Sequence, residues 1–264
     1  KAIKMLEESG ELDNTIVVMT GDHGMPFPRC KSNLYDMGVR VPLAIRWGKN
    51  IKANRRIEDF VSLTDLAPTF LEAAGVKVPS QITGKSLIPI LKPKKNKSVD
   101  KKRNHMVFGK ERHVPAQLSP SMAGYPSRGI RTKDYLYIYN FKPELWPAGV
   151  PENATHPMNS FADCDNSPTK TFLIKNKDNS KYKTFYDLSF SKRPAEELYK
   201  IKKDPHQLNN LANSTEYENI KRDLHNKLIA ALKKTEDPRI IGGGNEFDLY
   251  PYRASYKMNT GDKK

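Results

Sequence analysis

Three side chains that could do chemistry follow one short apolar segment near the start of the chain. Residues 16–19 read Ile-Val-Val-Met, a run of the kind that forms a fully buried parallel strand. Asp22 and His23 follow almost at once, and Lys31 lies nine residues beyond Asp22. In an open α/β sheet, ligands bind just outside the carboxyl ends of the strands. The spacing therefore predicts that these three residues share one site.

The three side chains would suit an anionic ester. Asp22 offers two hard oxygens, which fit Ca²⁺ or Mg²⁺, and Lys31 offers a mobile cation. A metal ion would offset charge on the oxygens of a sulfate or phosphate, and the ammonium would stabilise charge at the leaving oxygen. The same spacing also permits a purely structural interpretation, in which Asp22 caps the loop, His23 is a structural histidine and Lys31 is solvated.

Longer stretches around these residues resemble a known family. The segment T-G-D-H-G from Thr20 and the segment K-S-N-L-Y-D-M-G-V-R-V-P-L from Lys31 look like the second metal-ligand segment of the type I sulfatases, in the alkaline phosphatase superfamily. The intervening M-P-F-P is similar to the branch that contains N-sulfoglucosamine sulfohydrolase (heparan N-sulfatase) and its bacterial relatives. Later motifs of the family are matched in order by residues 61–76, 84–91 and 197–212.

The resemblance implies a fold and a metal site. It predicts an α/β fold, with residues 1–103 as the C-terminal portion of a sulfatase catalytic domain that ends in a basic linker. Residues 104–264 would form a smaller α+β subdomain with an antiparallel sheet and a packed C-terminal helix. Asp22 and His23 would bind Ca²⁺, and Lys31 would bind and stabilise the sulfate. Because imidazole is an atypical ligand for a hard cation, His23 could instead be a catalytic group that contacts the nucleophile or the sulfate.

A second group of candidate residues is Glu111-Arg112-His113. It ends a predicted strand over residues 105–113, in the region where the resemblance implies the substrate pocket. Arg112 could grip a carboxylate or a second sulfate through its planar guanidinium, and His113 could hydrogen-bond a sugar hydroxyl. These three residues are the predicted substrate-binding cluster, and a solvated surface cluster without a ligand is the alternative.

Two parts of a sulfatase site do not occur in this sequence. Members of the family carry a formylglycine, made from Cys or Ser in a C-x-P-S-R or S-x-P-S-R segment, and an early Asp-Asp pair for the metal. Here Cys30 stands in R-C-K and Cys164 in D-C-D. Residues 1–10 read as the last turns of a helix that enters the first strand. We therefore expect the C-terminal part of a longer periplasmic or secreted enzyme, inactive without the remainder.

The composition fits an acidic partner. Forty-five Lys and Arg against 30 Asp and Glu give a formal net charge of +15 over 264 residues, which favours nucleic acid, an anionic membrane or a sulfated glycan. The resemblance selects a sulfated saccharide, with no nucleic acid and no membrane span, and leaves the oligomeric state open. Part of the excess lies in residues 92–103, predicted to be a solvated linker. Cys30 could be a free thiol or half of a disulfide.

Local patterns predict the elements that would hold these groups. Residues 41–47 read as a second buried strand, and a helix is predicted over 64–74, with Thr64 as its N-cap and Gly75 as its stop. The other predicted elements are a hairpin over 128–140, long loops over 143–183, short strands at 185–188 and 197–200, and an amphipathic helix over 215–235. Arg128 and Arg131 are predicted to be sheet-surface cations, Asp65 to be structural, and His206 to lie in a non-catalytic turn.

The predicted function is hydrolysis of O- or N-linked sulfate from a sulfated carbohydrate, such as a glycosaminoglycan or an algal polysaccharide. Two alternatives stay open at this point. D-H-G alone also permits a phosphodiesterase or phosphonate monoester hydrolase of the same superfamily. The net charge and the missing nucleophile would also fit a polyanion-binding module without catalysis.

Overall fold

The computed structural model describes residues 1–118, 121–151 and 160–252. By its packing the chain divides into two compact units, Lys1–Asp22 with Val41–Met106 and His23–Arg40 with Val107–Lys264. The predicted domain boundary after residue 103 stays a prediction. The segment from His23 to Arg40, which carries His23 and Lys31, packs with the second unit.

The described residues form short helices and two antiparallel sheets. The helices are α1 Ala2–Glu8, α2 Asp36–Val39, α3 Leu66–Ala73, α4 Ile88–Leu91, α5 Pro168–Lys175, α6 Lys183–Phe190, α7 Glu218–Lys234 and α8 Pro238–Ile241. The strands are β1 Val17–Thr20, β2 Leu43–Arg46, β3 His105–Lys110, β4 Ser127–Thr132, β5 Tyr135–Asn140 and β6 Glu196–Lys200. Within the described ranges, no helix has the length and apolar character needed to cross a membrane.

In the first unit, β1 and β2 pair with each other. They run antiparallel, with Val17 opposite Arg46 and Thr20 opposite Leu43. The prediction of a fully buried parallel strand is therefore wrong for the described residues, and the side chain of Met19 is 67% exposed. The β-branched run indicates a strand, but it carries no information about which segment pairs with it or in which direction.

The helix predicted over 64–74 is present, but it starts differently. Ser62, rather than Thr64, is the N-cap of a 3-10 turn that leads into α3, and Asp65 completes a capping box by accepting from the Ser62 N–H. Asp65 is structural, as predicted, since it also accepts from Arg103 at 2.8 Å. Gly75 follows the helix with φ +70, a left-handed conformation that favours glycine.

In the second unit, a four-stranded sheet has the order β3-β4-β5-β6. The predicted hairpin is confirmed as β4 and β5, and the strand predicted at 197–200 is confirmed as β6. Helix α7 packs its Leu224, Leu228 and Leu232 against a core that includes Tyr137. The amphipathic pattern predicted this helix correctly, because its apolar residues recur every four positions along 17 residues.

Two predictions in the second unit are wrong. Residues 185–188 lie in helix α6, in which the apolar residues Tyr186 and Phe190, four apart, pack in one cluster. The prediction rested on four residues only, and a window of that length cannot reveal a four-residue spacing. Helix α5 interrupts the predicted loops over 143–183. It begins where Ser167 accepts from the Lys170 N–H and Pro168 occupies the first turn, and both are helix-start signals.

Arg128 is not a sheet-surface cation. It is only 7% exposed and donates to Asp237 at 2.6 Å and to Glu111 at 2.6 Å. Arg131 pairs with Asp36 at 2.9 Å. Both arginines therefore tie β4 to other parts of the second unit.

Candidate active site

The loop from His23 to Arg40 closes tightly upon itself. The Gly24 N–H donates to the carbonyl of Gly38 at 3.0 Å. A Cβ at Gly24 would lie 2.0 Å from the Met37 carbonyl oxygen, and one at Gly38 would lie 2.3 Å from the Asn33 carbonyl oxygen. Both positions need glycine, because the facing atoms are backbone and cannot move aside.

Tyr35 anchors this loop in the core of the second unit. It is 2% exposed and packs edge-on to Tyr199, with ring centroids 5.8 Å apart. Its hydroxyl donates to Glu197 at 2.7 Å, and burial raises the pKa of Tyr35, so it stays a protonated donor. The guanidinium of Arg29 stacks 3.7 Å from the centroid of the Tyr35 ring.

The C-terminal motif over 197–212 holds the other side of the loop. Gln207, fully buried, accepts from the Asp36 N–H at 3.0 Å through Oε1. Its own carbonyl accepts from Arg29 at 2.5 Å. Two motifs that lie far apart in the sequence are therefore hydrogen-bonded partners, and together they fix the position of Lys31.

Lys31 is paired with a carboxylate that the sequence analysis did not select. Its Nζ lies 3.0 Å from Oδ2 of Asp165, and the two side chains are 21% and 37% exposed. The ammonium is thus held in one direction while part of it remains accessible to an anion.

The neighbouring Asp163 binds two further basic groups. Its buried carboxylate contacts Lys110, and it accepts from Nδ1 of His113 at 3.2 Å. Burial alone would raise the pKa of Asp163, but Lys110 and His113 outweigh it and hold the pKa below its usual range. Since a carboxylate only accepts, Nδ1 of His113 carries the proton, and Nε2 has the lone pair when the ring is neutral.

Lys170 fixes the backbone that presents these two aspartates. Its buried ammonium donates to the carbonyls of Phe161 and Cys164, at 3.0 and 2.7 Å, and to Asn166 at 3.1 Å. Phe161 adopts φ +50, an unfavourable conformation for a non-glycine residue. We call residues 161–166 the aspartate loop. The hydrogen bonds of Lys170 fix the shape of the aspartate loop. The aspartate loop in turn places Asp163 beside His113 and Asp165 beside Lys31.

The structure does not bring Glu111, Arg112 and His113 together on one partner. Glu111 accepts from Arg128 and Arg239, at 2.6 and 2.8 Å. Arg112 donates to the carbonyls of Met122 and Tyr250, at 2.7 and 2.8 Å, whereas His113 binds the aspartate loop. Their roles toward a substrate stay predictions, with His113 the best placed because its side chain is 33% exposed.

Asp22 and His23 are exposed where the first unit's segment ends and the second unit's begins. Nδ1 of His23 lies 2.7 Å from the Gly24 carbonyl and therefore donates to it. A hard cation fits the carboxylate of Asp22, and Nε2 is the nitrogen of His23 that could ligate. Among the described residues, no three His, Cys, Asp or Glu side chains are grouped in a way that could hold a metal.

Comparison with known proteins places this loop in a family. Residues 21–163 match the family model described as N-sulphoglucosamine sulphohydrolase, C-terminal. The chain belongs to this family. The resemblance to sulfatases and the predicted α/β sulfatase fold are both confirmed.

Relatives of this N-sulphoglucosamine sulphohydrolase family member include named enzymes. An ulvan-active sulfatase of Formosa agariphila is 30% identical over 85% of this chain and 39% of its own length. The human N-sulphoglucosamine sulphohydrolase is 28% identical over 89% of this chain and 45% of its own length. The solved structure of BT4656 in complex with its substrate D-glucosamine-2-N,6-O-disulfate has a TM-score of 0.58 and 27% identity, and covers 90% of this chain and 38% of that one. The chain thus spans less than half the length of these relatives.

Two residues of the site fall in a stretch that the sequence predicts to be loop. Asp163 is the last residue of the family match, and Asp165 lies just beyond it. The available signal was two carboxylates one residue apart, next to a helix-start pair at Ser167 and Pro168. Cys164 between them is a buried free thiol, as is Cys30, so the question of a disulfide is settled in favour of thiols.

Proposed function

We propose that this chain supplies the sulfate-binding and sugar-reading part of a sulfatase that removes O- or N-linked sulfate from a sulfated carbohydrate. The observation that carries the proposal is the position of the Lys31 ammonium, 3.0 Å from Asp165. The loop that holds Lys31 is closed at two glycines, is anchored in the core by Tyr35, and lies within the residues that match the sulphohydrolase family. A cation fixed before substrate arrives can stabilise developing charge without reorganising.

The substrate class is supported by the relatives. Two of them are named for ulvan and for N-sulphoglucosamine, and a related structure holds a disulfated glucosamine. All three point to a sulfated saccharide and differ in the sugar, so the proposed substrate is a sulfated saccharide with either N- or O-linked sulfate.

The residues of this chain would divide the work. Lys31 binds the sulfate or its departing bridging atom, and Asp165 positions Lys31. Asp22 would hold Ca²⁺, with His23 as a further ligand or a catalytic group, and the ion would offset charge on the sulfate oxygens. The formylglycine nucleophile would be supplied by residues outside this chain. A periplasmic or secreted location would expose the enzyme to such polysaccharides.

On the substrate side, His113 would meet the sugar. Asp163 fixes its tautomer, so that Nε2 can accept from a hydroxyl while the ring is neutral. Glu111 and Arg112 border this position and, in the proposal, shape it. A site that pairs with a substrate group discriminates strongly against analogues without it.

Lys31 provides the test. In the full-length gene product, Lys31→Ala should lower kcat by about 10²–10³-fold and change KM much less, because the lost interaction acts on developing charge. Lys31→Arg should keep more activity. Lys183→Ala is a suitable control, since Lys183 is an exposed, ion-paired lysine of the same unit. Wild-type kcat/KM in Lys31→Ala would remove Lys31 from the site.

Two further measurements separate the parts of the proposal. Asp22→Ala should lose bound Ca²⁺ in metal analysis, and retained stoichiometric Ca²⁺ would remove Asp22 as a ligand. His113→Ala should reduce turnover of a sulfated saccharide far more than turnover of a small aryl sulfate. Faster turnover of a phosphate diester than of any sulfate ester would favour the phosphohydrolase alternative.

A further inference from the structure

The basic run of the first unit is held in a defined shape. We call residues 92–102 the basic loop. Arg55 donates to the carbonyls of Ile90, Leu91 and Lys95 at the start of this loop. The backbone of Lys97 forms a parallel bridge with Ile57, in which Lys97 donates to the Arg56 carbonyl at 2.8 Å. The segment is solvent-exposed, as predicted for a solvated linker, but its backbone is held by these hydrogen bonds.

The second half of the basic loop is pinned by buried charges. Asp59, 8% exposed, accepts from the N–H groups of Val99 and Asp100, at 2.8 and 2.7 Å. Arg103 follows the loop and is bound to the buried Asp65 at 2.8 Å. Arg55, Asp59 and Arg103 thus hold the loop through hydrogen bonds within the protein. The backbone of the loop therefore has little conformational entropy left to lose when it binds a ligand.

The lysine side chains of the basic loop, in contrast to Arg55, Asp59 and Arg103, point to solvent. All six are exposed, namely Lys92, Lys94, Lys95, Lys97, Lys101 and Lys102. Across the described ranges none of them forms an ion pair or a side-chain hydrogen bond. The bridge to Ile57 brings the exposed Arg56 alongside them. The carboxylate of Asp100 is turned to the Lys102 N–H at 2.9 Å. A rigid backbone therefore displays six lysines with Arg56 and the exposed Glu58 beside them, and among the described residues none of these lysines is ion-paired.

We propose that the basic loop is a binding surface for a sulfated polysaccharide chain, separate in its residues from the candidate active site. A polyanion that meets several fixed cations releases its condensed counterions and pays little ordering entropy in the protein. Such a surface would retain the polymer between successive turnovers. The proposal adds a polymer-binding role to the proposed function and rests on it only for the identity of the polyanion.

Nucleic acid is the less suitable occupant. Proteins that bind single strands without sequence preference stack bases on aromatic rings, and neither residues 48–58 nor the basic loop contains an aromatic residue. Within the loop every cation is lysine, a point charge without the planar guanidinium with which arginine can stack on the faces of bases. Dispersed sulfate groups on a flexible polysaccharide match this arrangement better.

The test compares two triple variants of the full-length gene product with equal loss of charge. Lys94→Gln, Lys95→Gln and Lys101→Gln together change the basic loop. Lys177→Gln, Lys227→Gln and Lys233→Gln together change three exposed lysines elsewhere that, within the described ranges, also have no ion pair. Heparin is the probe, titrated by calorimetry at several salt concentrations, with mixed-sequence single-stranded DNA as a second probe.

The loop variant should bind heparin up to about 100-fold more weakly near 100 mM salt, with a salt slope shallower by about 2, since each contact contributes on the order of 0.7. The control variant should stay within about threefold of the wild type. Equal losses in both variants, or no loss in either, would overturn the proposal. DNA bound more tightly than heparin, with the same loss in the loop variant, would make the loop a nucleic-acid surface.

Turnover of a small aryl sulfate separates this proposal from the proposed function. It should be unchanged in the loop variant, because the basic loop holds none of the candidate active-site residues. If the wild type cleaves no sulfate ester at all, the proposed function fails while the heparin measurement still decides the loop.

Discussion

The aspartate loop and the basic loop both look like polar connections in the sequence, but they treat positive charge in opposite ways. Around the aspartate loop, Lys31, Lys110 and Lys170 each have acceptors in the same unit. In the basic loop six lysines have none among the described residues. The difference shows that the basic residues behind the net charge of +15 fall into two groups. One organises the protein, and the other remains available to an external anion.

The largest effect on folding is expected at Asp163. Asp163→Ala should lower the free energy of unfolding by about 3–5 kcal/mol, because it leaves the Lys110 ammonium, 10% exposed, buried without its counterion. Urea unfolding measures this. Asp187→Ala removes the exposed partner of Lys183 and should cost far less, because a solvent-exposed ion pair contributes little to stability. Equal costs at the two positions would mean that the aspartate loop is not organised by its ion pairs.

The equivalent experiment on the basic loop is Asp59→Ala. It should cost about 1–3 kcal/mol, because the N–H groups of Val99 and Asp100 lose their acceptor. Heparin affinity should also fall, although every lysine remains. Faster hydrogen exchange at these two amides would show that the loop has loosened. Unchanged exchange would mean that Asp59 does not hold the loop.

Acid should reduce the contribution of Asp163 in a defined direction. Its pKa is lowered in the folded state, so its stabilisation is present above the unfolded pKa of about 3.9 and is lost as pH falls through the lower folded value. The difference in unfolding free energy between the wild type and Asp163→Asn should narrow as the pH falls below about 4. A difference that widens in acid would contradict the assignment.

The smallest effect is expected at Lys97, which adopts φ +61. Lys97→Gly should raise the free energy of unfolding by less than about 1 kcal/mol, because relief of left-handed strain exceeds the entropy cost of glycine only slightly. Lys95→Gly removes the same charge at a position without positive φ and should destabilise. If both variants behave alike in thermal unfolding, the conformation of Lys97 carries no strain.

The sequence was most informative where a pattern is long or a motif is specific. The hairpin, helix α7 and the family of the loop around Lys31 were all predicted correctly. The direction of β1 was not, because strand propensity does not encode the partner. The pairing of Lys31 with Asp165 joins residues 134 apart, and no local pattern links two such side chains. Contacts of this kind are decided by packing.

The two buried thiols offer a way to observe one unit separately. The sequence contains two cysteines, Cys30 and Cys164, and both lie in the second unit. Burial raises the pKa of both thiols, that of Cys164 to about 11, so at neutral pH they are protonated and react slowly. The rate at which an alkylating reagent modifies these cysteines in the native protein therefore reports transient opening of the second unit. It does not report opening of the first unit. Since Cys30 is next to Lys31, alkylation of Cys30 measures how often the loop that holds Lys31 opens.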